Sequence, residues 1–157
     1  MKIVITGGMG FVGSHIIKHI DKIENDIIVI DNFSSNVNDN HEGIEIINTD
    51  LSDQEQLNNI KLESADIFIH LAGPSSGPAS AKDPQGTIEI SNKITFNILK
   101  LCEKLSVKRL LFASSMALYG NPKELPVTEE TICSPISYYA IAKLSAENII
   151  QAYCKKL

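Results

Sequence analysis

Tyr139 and Lys143 close the stretch Tyr139-Ala140-Ile141-Ala142-Lys143, a spacing that puts both side chains one turn apart on one face of a helix. A tyrosine with its usual pKa of about 10 is a poor base at neutral pH, and a lysine ammonium beside it favours the phenolate. Such a pair could take the proton from an alcohol. By itself the YxxxK spacing is common by chance and more often structural. Upstream, Phe112-Ala113-Ser114-Ser115 ends a strand pattern with two hydroxyls. A strand-end serine is more often a turn former than a catalyst, so this pattern also needs context.

A second constellation lies at the start. Ile3-Val4-Ile5-Thr6 runs into Gly7-Gly8-Met9-Gly10-Phe11-Val12-Gly13, a strand followed by a glycine turn and a helix. Gly7, Gly10 and Gly13 satisfy GxxGxxG, and Gly8, Gly10 and Gly13 satisfy GxGxxG. The turn must be tight, a side chain would block a pyrophosphate, and the helix must pack closely on the strand. The new helix points its free N–H groups and the positive end of its dipole at phosphates. Asp31 closes the second strand, 24 positions beyond Gly7, where a carboxylate accepts hydrogen bonds from an adenosine ribose. A glycine turn with an incidental strand-end aspartate fits less well, because the context agrees on both sides. With no basic residue in Asn32-Phe33-Ser34-Ser35, the expected cofactor is NAD rather than NADP, since a 2′-phosphate would meet a carboxylate and no arginine.

The elements that must position these groups alternate. Strands are expected at Lys2–Thr6, Ile27–Asp31, Ile44–Asn48, Asp66–His70 and Arg109–Ser114, with runs such as Ile27-Ile28-Val29-Ile30 suited to burial on both faces of a parallel sheet. Helices are expected at Phe11–Lys22, near Asp53–Ile60, at Thr87–Leu105 and at Tyr138–Lys156. Ile94, Ile98, Leu101 and Leu105 share one face of the third, and Ala142, Ala146, Ile149 and Tyr153 one face of the fourth. Gly73–Gly86 and Gly120–Pro135 are expected loops. The alternation implies right-handed crossovers and an α/β, doubly wound parallel sheet with helices on both faces.

Bulk properties exclude several classes. The chain has 157 residues, 43% apolar and 21% charged, which suits a soluble domain with a real core. A net charge of −5 provides no basic field for nucleic acid or an anionic membrane. Cys102, Cys133 and Cys154 are widely spaced and form no CxxC pair, so neither a metal site nor a disulfide framework is expected, and a reducing compartment fits. His15, His19 and His41 lack partners at metal-ligand spacing, and His70 at a strand end reads as structural or cofactor-lining. The apolar run at Ile3–Ile5 is too short for a signal peptide, and no segment has the roughly 18 apolar residues that span a bilayer. The expected location is cytoplasmic.

Taken together, TGGMGFVGSH, Asp31-Asn32, Asp50-Leu51, HLAG at His70–Gly73, SSMALYG at Ser114–Gly120 and YYAIAK at Tyr138–Lys143 resemble the NAD-dependent epimerase/dehydratase family in order and spacing. This family belongs to the extended short-chain dehydrogenase/reductases, and the likeness is to its UDP-glucose 4-epimerase-like members. It covers nearly the whole chain and implies a Rossmann-type NAD-binding domain over residues 1–157. By resemblance, Ser115, Tyr139 and Lys143 are catalytic, and Tyr139 and Lys143 also contact the cofactor. Gly7, Gly10, Phe11, Val12, Gly13, Asp31, Asn32, Asp50, Leu51, Leu71, Ala72 and Gly73 would bind NAD, and Ser80 and Ser115 would approach the substrate. The implied reaction is epimerisation of a nucleotide sugar by transient oxidation, with hydride passed to the nicotinamide and returned to the opposite face. A decarboxylase, a reductase or a catalytically silent NAD-binding module are the alternatives.

Departures from the family are specific. Its 4,6-dehydratases carry Asp-Glu after the catalytic hydroxyl, whereas this chain has Met116-Ala117 and so no acid and base for eliminating water. The family's helix-start Asn is replaced by Ser91 or displaced to Asn92. Tyr138 stands beside Tyr139, but only Tyr139 has a lysine four positions on. The chain is about half the family's length, so a fragment or one half of a split protein is expected, inactive or nearly so alone. By the same resemblance, helices 87–105 and 138–156 would pair with their copies in a homodimer through a four-helix bundle.

Overall fold

The structure, a computed structural model, describes residues 1–35, 42–75 and 77–155; His41 and the end of the last expected helix, Lys156, lie outside them. Five strands, β1 (Lys2–Thr6), β2 (Asp26–Asp31), β3 (Glu45–Asn48), β4 (Ile67–His70) and β5 (Arg109–Phe112), form one sheet in the order β3-β2-β1-β4-β5, every neighbouring pair parallel. The chain moves outward from β1 to β3 and then returns to place β4 on the other side of β1. The direction of winding reverses between β1 and β4, and ligands in such sheets bind beyond the carboxyl ends at that point. Thr6 pairs in register with both Ile30 and His70. Pairing persists past these ends, with Gly7 N–H donating to Ile30 O (3.0 Å) and Leu71 N–H to Thr6 O (3.1 Å).

The apolar runs explain which strands are central. Val4, Ile5, Val29 and Ile30 are fully buried, as expected of strands covered on both faces. Ile3, Ile5, Met9, Ile17, Ile27 and Val29 make one cluster of the core, and each such side chain contributes roughly 1.5–3 kcal/mol by leaving water. β3 exposes Glu45, Ile46 and Asn48, and β5 exposes Arg109 and Leu111, so these two strands are the less covered ones.

Among the described residues there are also five helices and one short 3-10 helix (Met116–Tyr119): α1 (Phe11–His19), α2 (Gln54–Asn58), α3 (Gly77–Lys82), α4 (Pro84–Lys104) and α5 (Tyr138–Cys154). The expected apolar stripe of α4 is buried, Ile98 and Leu105 completely. On α5, Ala142 and Ala146 are buried, and Ile149 and Tyr153 half-buried.

Several boundaries differ from the sequence expectation. α1 stops three residues short of Lys22, because Ile20 turns extended and Asp21 organises a turn, its Oδ1 accepting Ile23 N–H at 2.8 Å. β5 ends at Phe112, two residues before Ser114. The expected loop over Gly73–Gly86 instead contains α3 and the start of α4. There Asp83 Oδ1 accepts Gly86 N–H at 2.9 Å and Pro84 occupies the first helical position, where its missing N–H costs nothing. α4 therefore spans Pro84–Lys104 rather than 87–105, and α5 spans Tyr138–Cys154 rather than 138–156.

The chain forms two compact units, Met1–Ala72 with Asn97–Ala113, and Gly73–Phe96 with Ser114–Leu157. The first holds the sheet. The second holds α3, α5 and the 3-10 helix. Among the described residues no helix is long and apolar enough to cross a membrane.

Candidate functional site

In the first unit the glycine turn caps β1. Gly7 has φ +70°, and a Cβ there would stand 2.7 Å from Ala72 N, so a side chain is excluded by conformation and by space. A Cβ on Gly13 would come within 2.5 Å of Gly7 O, which is why α1 can start so close to the strand. Gly10 caps α1 without a side-chain hydrogen bond, and no acidic residue lies in the first turn. Phe11 and Val12 are exposed. This uncapped, positive helix end is chemically suited to an anionic group.

Asp31 is 8% exposed, and its carboxylate is already organised by backbone. Oδ2 accepts Met9 N–H from the glycine turn at 2.9 Å, and Oδ1 accepts Phe33 N–H at 2.8 Å. Next to it, Asn32 Nδ2 donates to Asp50 Oδ2 at 3.3 Å. The other oxygen of Asp50 accepts the amide and hydroxyl of Ser52 at 2.8 and 2.7 Å. Leu51 is buried, and its carbonyl accepts Asn97 Nδ2 at 2.8 Å. Beyond β4, Leu71 and Ala72 follow His70, whose Nδ1 lies 2.7 Å from Thr6 Oγ1. Ala72 N–H donates to the same hydroxyl at 3.4 Å. The unit thus places Gly7, Gly10, Gly13, Asp31, Asn32, Asp50, Leu51, Leu71 and Ala72 at or beyond the carboxyl ends of β1, β2, β3 and β4.

In the second unit, Ser115 is an extended residue that caps the 3-10 helix, its Oγ accepting Ala117 N–H at 3.2 Å. α5 packs against that helix and against α3. Ser137 caps α5 by accepting Ala140 N–H at 3.2 Å, and Ser80 Oγ accepts Tyr139 N–H at 3.1 Å. Two of the orphan amides of the helix start are satisfied in this way, one locally and one from α3. Ser80 is 2% exposed and donates its own proton to Gly77 O at 2.6 Å. Tyr139 and Lys143 lie on one face of α5, and Tyr138 is the more exposed of the two tyrosines. Lys143 is buried, and that burial holds its ammonium below the usual lysine pKa. Gly73, exposed with φ +128°, also belongs to this unit.

Several participants escape a sequence reading. Asn97 sits among the apolar residues of α4 one position before Ile98, and a polar residue there is the available signal. Ser137 directly before the YxxxK helix is a recognisable N-cap. Nothing local marks Met9, whose contribution is its backbone N–H, or Thr6, which meets its partner across strands. Among the described residues no group of three or more His, Cys, Asp or Glu side chains is arranged to hold a metal.

Residues 3–157 match the family model for the NAD dependent epimerase/dehydratase family. A putative UDP-glucose 4-epimerase of Methanocaldococcus jannaschii is 33% identical over 153 residues, covering 96% of this chain and 50% of that protein. The UDP-glucuronic acid decarboxylase 1 of Xenopus tropicalis is 32% identical over 166 residues, covering 99% of this chain and 38% of its own length. Among solved structures, the Thermus thermophilus UDP-glucose 4-epimerase complex with NAD superposes with a TM-score of 0.88 at 28% identity, covering 99% of this chain and 51% of that one. The chain thus spans about half the length of the epimerases it matches.

Proposed function

The chain belongs to the NAD dependent epimerase/dehydratase family, and from that premise we propose that it forms the NAD-binding and catalytic half of a nucleotide-sugar epimerase. The fold is Rossmann-type, and the family's cofactor is NAD. When bound, NAD would supply a hydride acceptor that later returns the hydride. The residues present fit it, because the glycines at 7, 10 and 13 clear the backbone and the α1 N-terminus is uncapped by any side chain. In this reading Phe11, Val12 and the three glycines hold the pyrophosphate, Asp31 and Asn32 the adenosine ribose, and Asp50 and Leu51 the adenine. Leu71, Ala72 and Gly73 line the cofactor.

The observation that carries the catalytic part is α5 itself. Tyr139 and Lys143 share a face of α5 one turn apart, and Lys143 is buried. Tyr139 would take the proton of a sugar hydroxyl, Lys143 would stabilise the phenolate and hold the nicotinamide ribose, and Ser115 would hydrogen bond the sugar oxygen. Met116 and Ala117 leave no side-chain acid or base for dehydration. Ser80 has a substrate contact in the sequence reading, yet its hydroxyl serves Gly77 and Tyr139, which favours a supporting role. Replacing Tyr139 with Phe in a longer protein carrying this sequence tests the assignment.

A nucleotide-sugar decarboxylase is the second reading, favoured by the match to the Xenopus enzyme. The homodimer also belongs to this reading, supported by Ile90 and Phe96 on α4 and Tyr138 and Ile141 on α5, all exposed. So does a cytoplasmic setting, supported by three free thiols.

A further inference from the structure

We propose that Asn97 is a positioning residue for selection of the cofactor's purine: by holding the Leu51 carbonyl it aims the Leu51 N–H at the base. The proposal rests on the reading that Asp50 and Leu51 hold the adenine.

Leu51 lies just past β3 and is 4% exposed, and among the described residues its backbone N–H has no acceptor. A buried amide without a partner is rare in folded proteins, and it marks a place where a bound molecule completes the bond. The peptides on both sides of that N–H are fixed. Asp50 O accepts Asp53 N–H at 3.0 Å, and the trans peptide then turns Leu51 N–H the opposite way. Leu51 O accepts Asn97 Nδ2 at 2.8 Å. A carbonyl only accepts, so the nitrogen of the Asn97 amide must be the atom that faces it. Directly before Leu51, the Asp50 carboxylate is aligned by Ser52 and Asn32.

A carboxylate acceptor followed by an N–H donor suits adenine, whose exocyclic amino group donates and whose adjacent ring nitrogen accepts. Hypoxanthine presents the reverse pair, a carbonyl and a ring N–H. A fixed Leu51 N–H therefore discriminates between the two bases. Packing alone does not call for an amide at position 97. Asn97 is 7% exposed on α4 beside Ile98, and among the described residues its Oδ1 has no donor. Leucine at the same place would avoid that desolvation cost. What asparagine contributes is one N–H, delivered from α4 to a loop 46 residues away in the chain.

The test uses the 157-residue chain and two probes, NAD and nicotinamide hypoxanthine dinucleotide, titrated in a calorimeter. Wild type should prefer NAD by about 100-fold, a tenfold factor for each reversed hydrogen bond. Asn97→Leu should loosen NAD about tenfold and leave the hypoxanthine analogue nearly unchanged, so the preference shrinks about tenfold. Asn97→Asp keeps the shape but sets an acceptor against the Leu51 carbonyl, and it should lose the preference in the same way. Each variant is judged by a ratio of two affinities, so either one that folds decides. An equal loss for both dinucleotides marks a merely structural residue and overturns the proposal, as does a variant with the wild-type preference. A wild-type chain that binds both dinucleotides alike, or neither, instead overturns the adenine reading on which the proposal rests.

Discussion

Asp31 Oδ2 accepts the backbone N–H of Met9 at 2.9 Å, so the carboxylate at the end of β2 holds the glycine turn at the end of β1. Its other oxygen holds Phe33 N–H. A residue expected to face a ribose is therefore also a brace for the loop before any ligand arrives. Asp31→Ala should lower the melting temperature without cofactor, through loss of charge-assisted bonds worth about 1.5–3 kcal/mol each. Asp31→Asn should also destabilise, because its amide sets an N–H donor against one of two N–H donors. Scanning calorimetry on both variants checks this; unchanged melting in the two would dismiss the brace.

The same carboxylate should select NAD. An added 2′-phosphate would approach a negative group with no arginine in Asn32-Phe33-Ser34-Ser35. Titration calorimetry is expected to give an NAD affinity well above that for NADP, and equal affinities would refute the selection.

Lys143 makes stability depend on pH. Burial lowers its pKa below the ordinary 10.5, so in the interval beneath that value the unfolded chain binds a proton that the folded chain does not. Stability contributed by this group therefore rises as pH rises through the interval. Lys143→Met should be more stable than wild type at neutral pH, and the gap should narrow as pH climbs toward 10.5. Chemical denaturation at several pH values measures it; a gap that widens with pH would contradict the burial argument.

Tyr139→Phe, in a longer protein carrying this sequence, should cost about 10²–10⁴-fold in turnover, the range for losing a general base. NAD affinity should stay nearly constant, because the helix start is held through the Tyr139 backbone N–H on Ser80 and not through its phenol. Turnover close to wild type would remove Tyr139 from the proposed chemistry. The 157 residues alone should turn over little, since binding energy from remote parts of a substrate normally orients the reacting group.

Light scattering should find a dimer at tens of micromolar if α4 and α5 pair with their copies. A two-fold contact buries the same patch on both partners, which suits Ile90, Phe96, Tyr138 and Ile141. Charged substitutions at Phe96 and Ile141 should then produce monomer; a monomeric wild type would refute the pairing.

Periodicity and turn chemistry are local, and what they encode was legible in the residues alone. Five parallel strands, the glycine turn, Asp31 at a strand end and a YxxxK helix all follow from apolar runs, glycine spacing and helical pitch. Boundaries were less legible where a cap competes with a pattern: Asp83 and Pro84 start α4 inside an apparent loop, and Asp21 closes the end of α1. Contacts between distant residues could not be read at all. Thr6 meeting His70, Asn97 reaching the Leu51 carbonyl, Ser80 receiving the Tyr139 amide and Asp31 bracing Met9 join positions 64, 46, 59 and 22 residues apart. Which donor finds which acceptor depends on strand order and on the packing of helices, because a buried polar group must take whatever partner the fold brings within about 3 Å. The chemistry of the site was written in residue types; its bracing was decided only when the sheet was assembled.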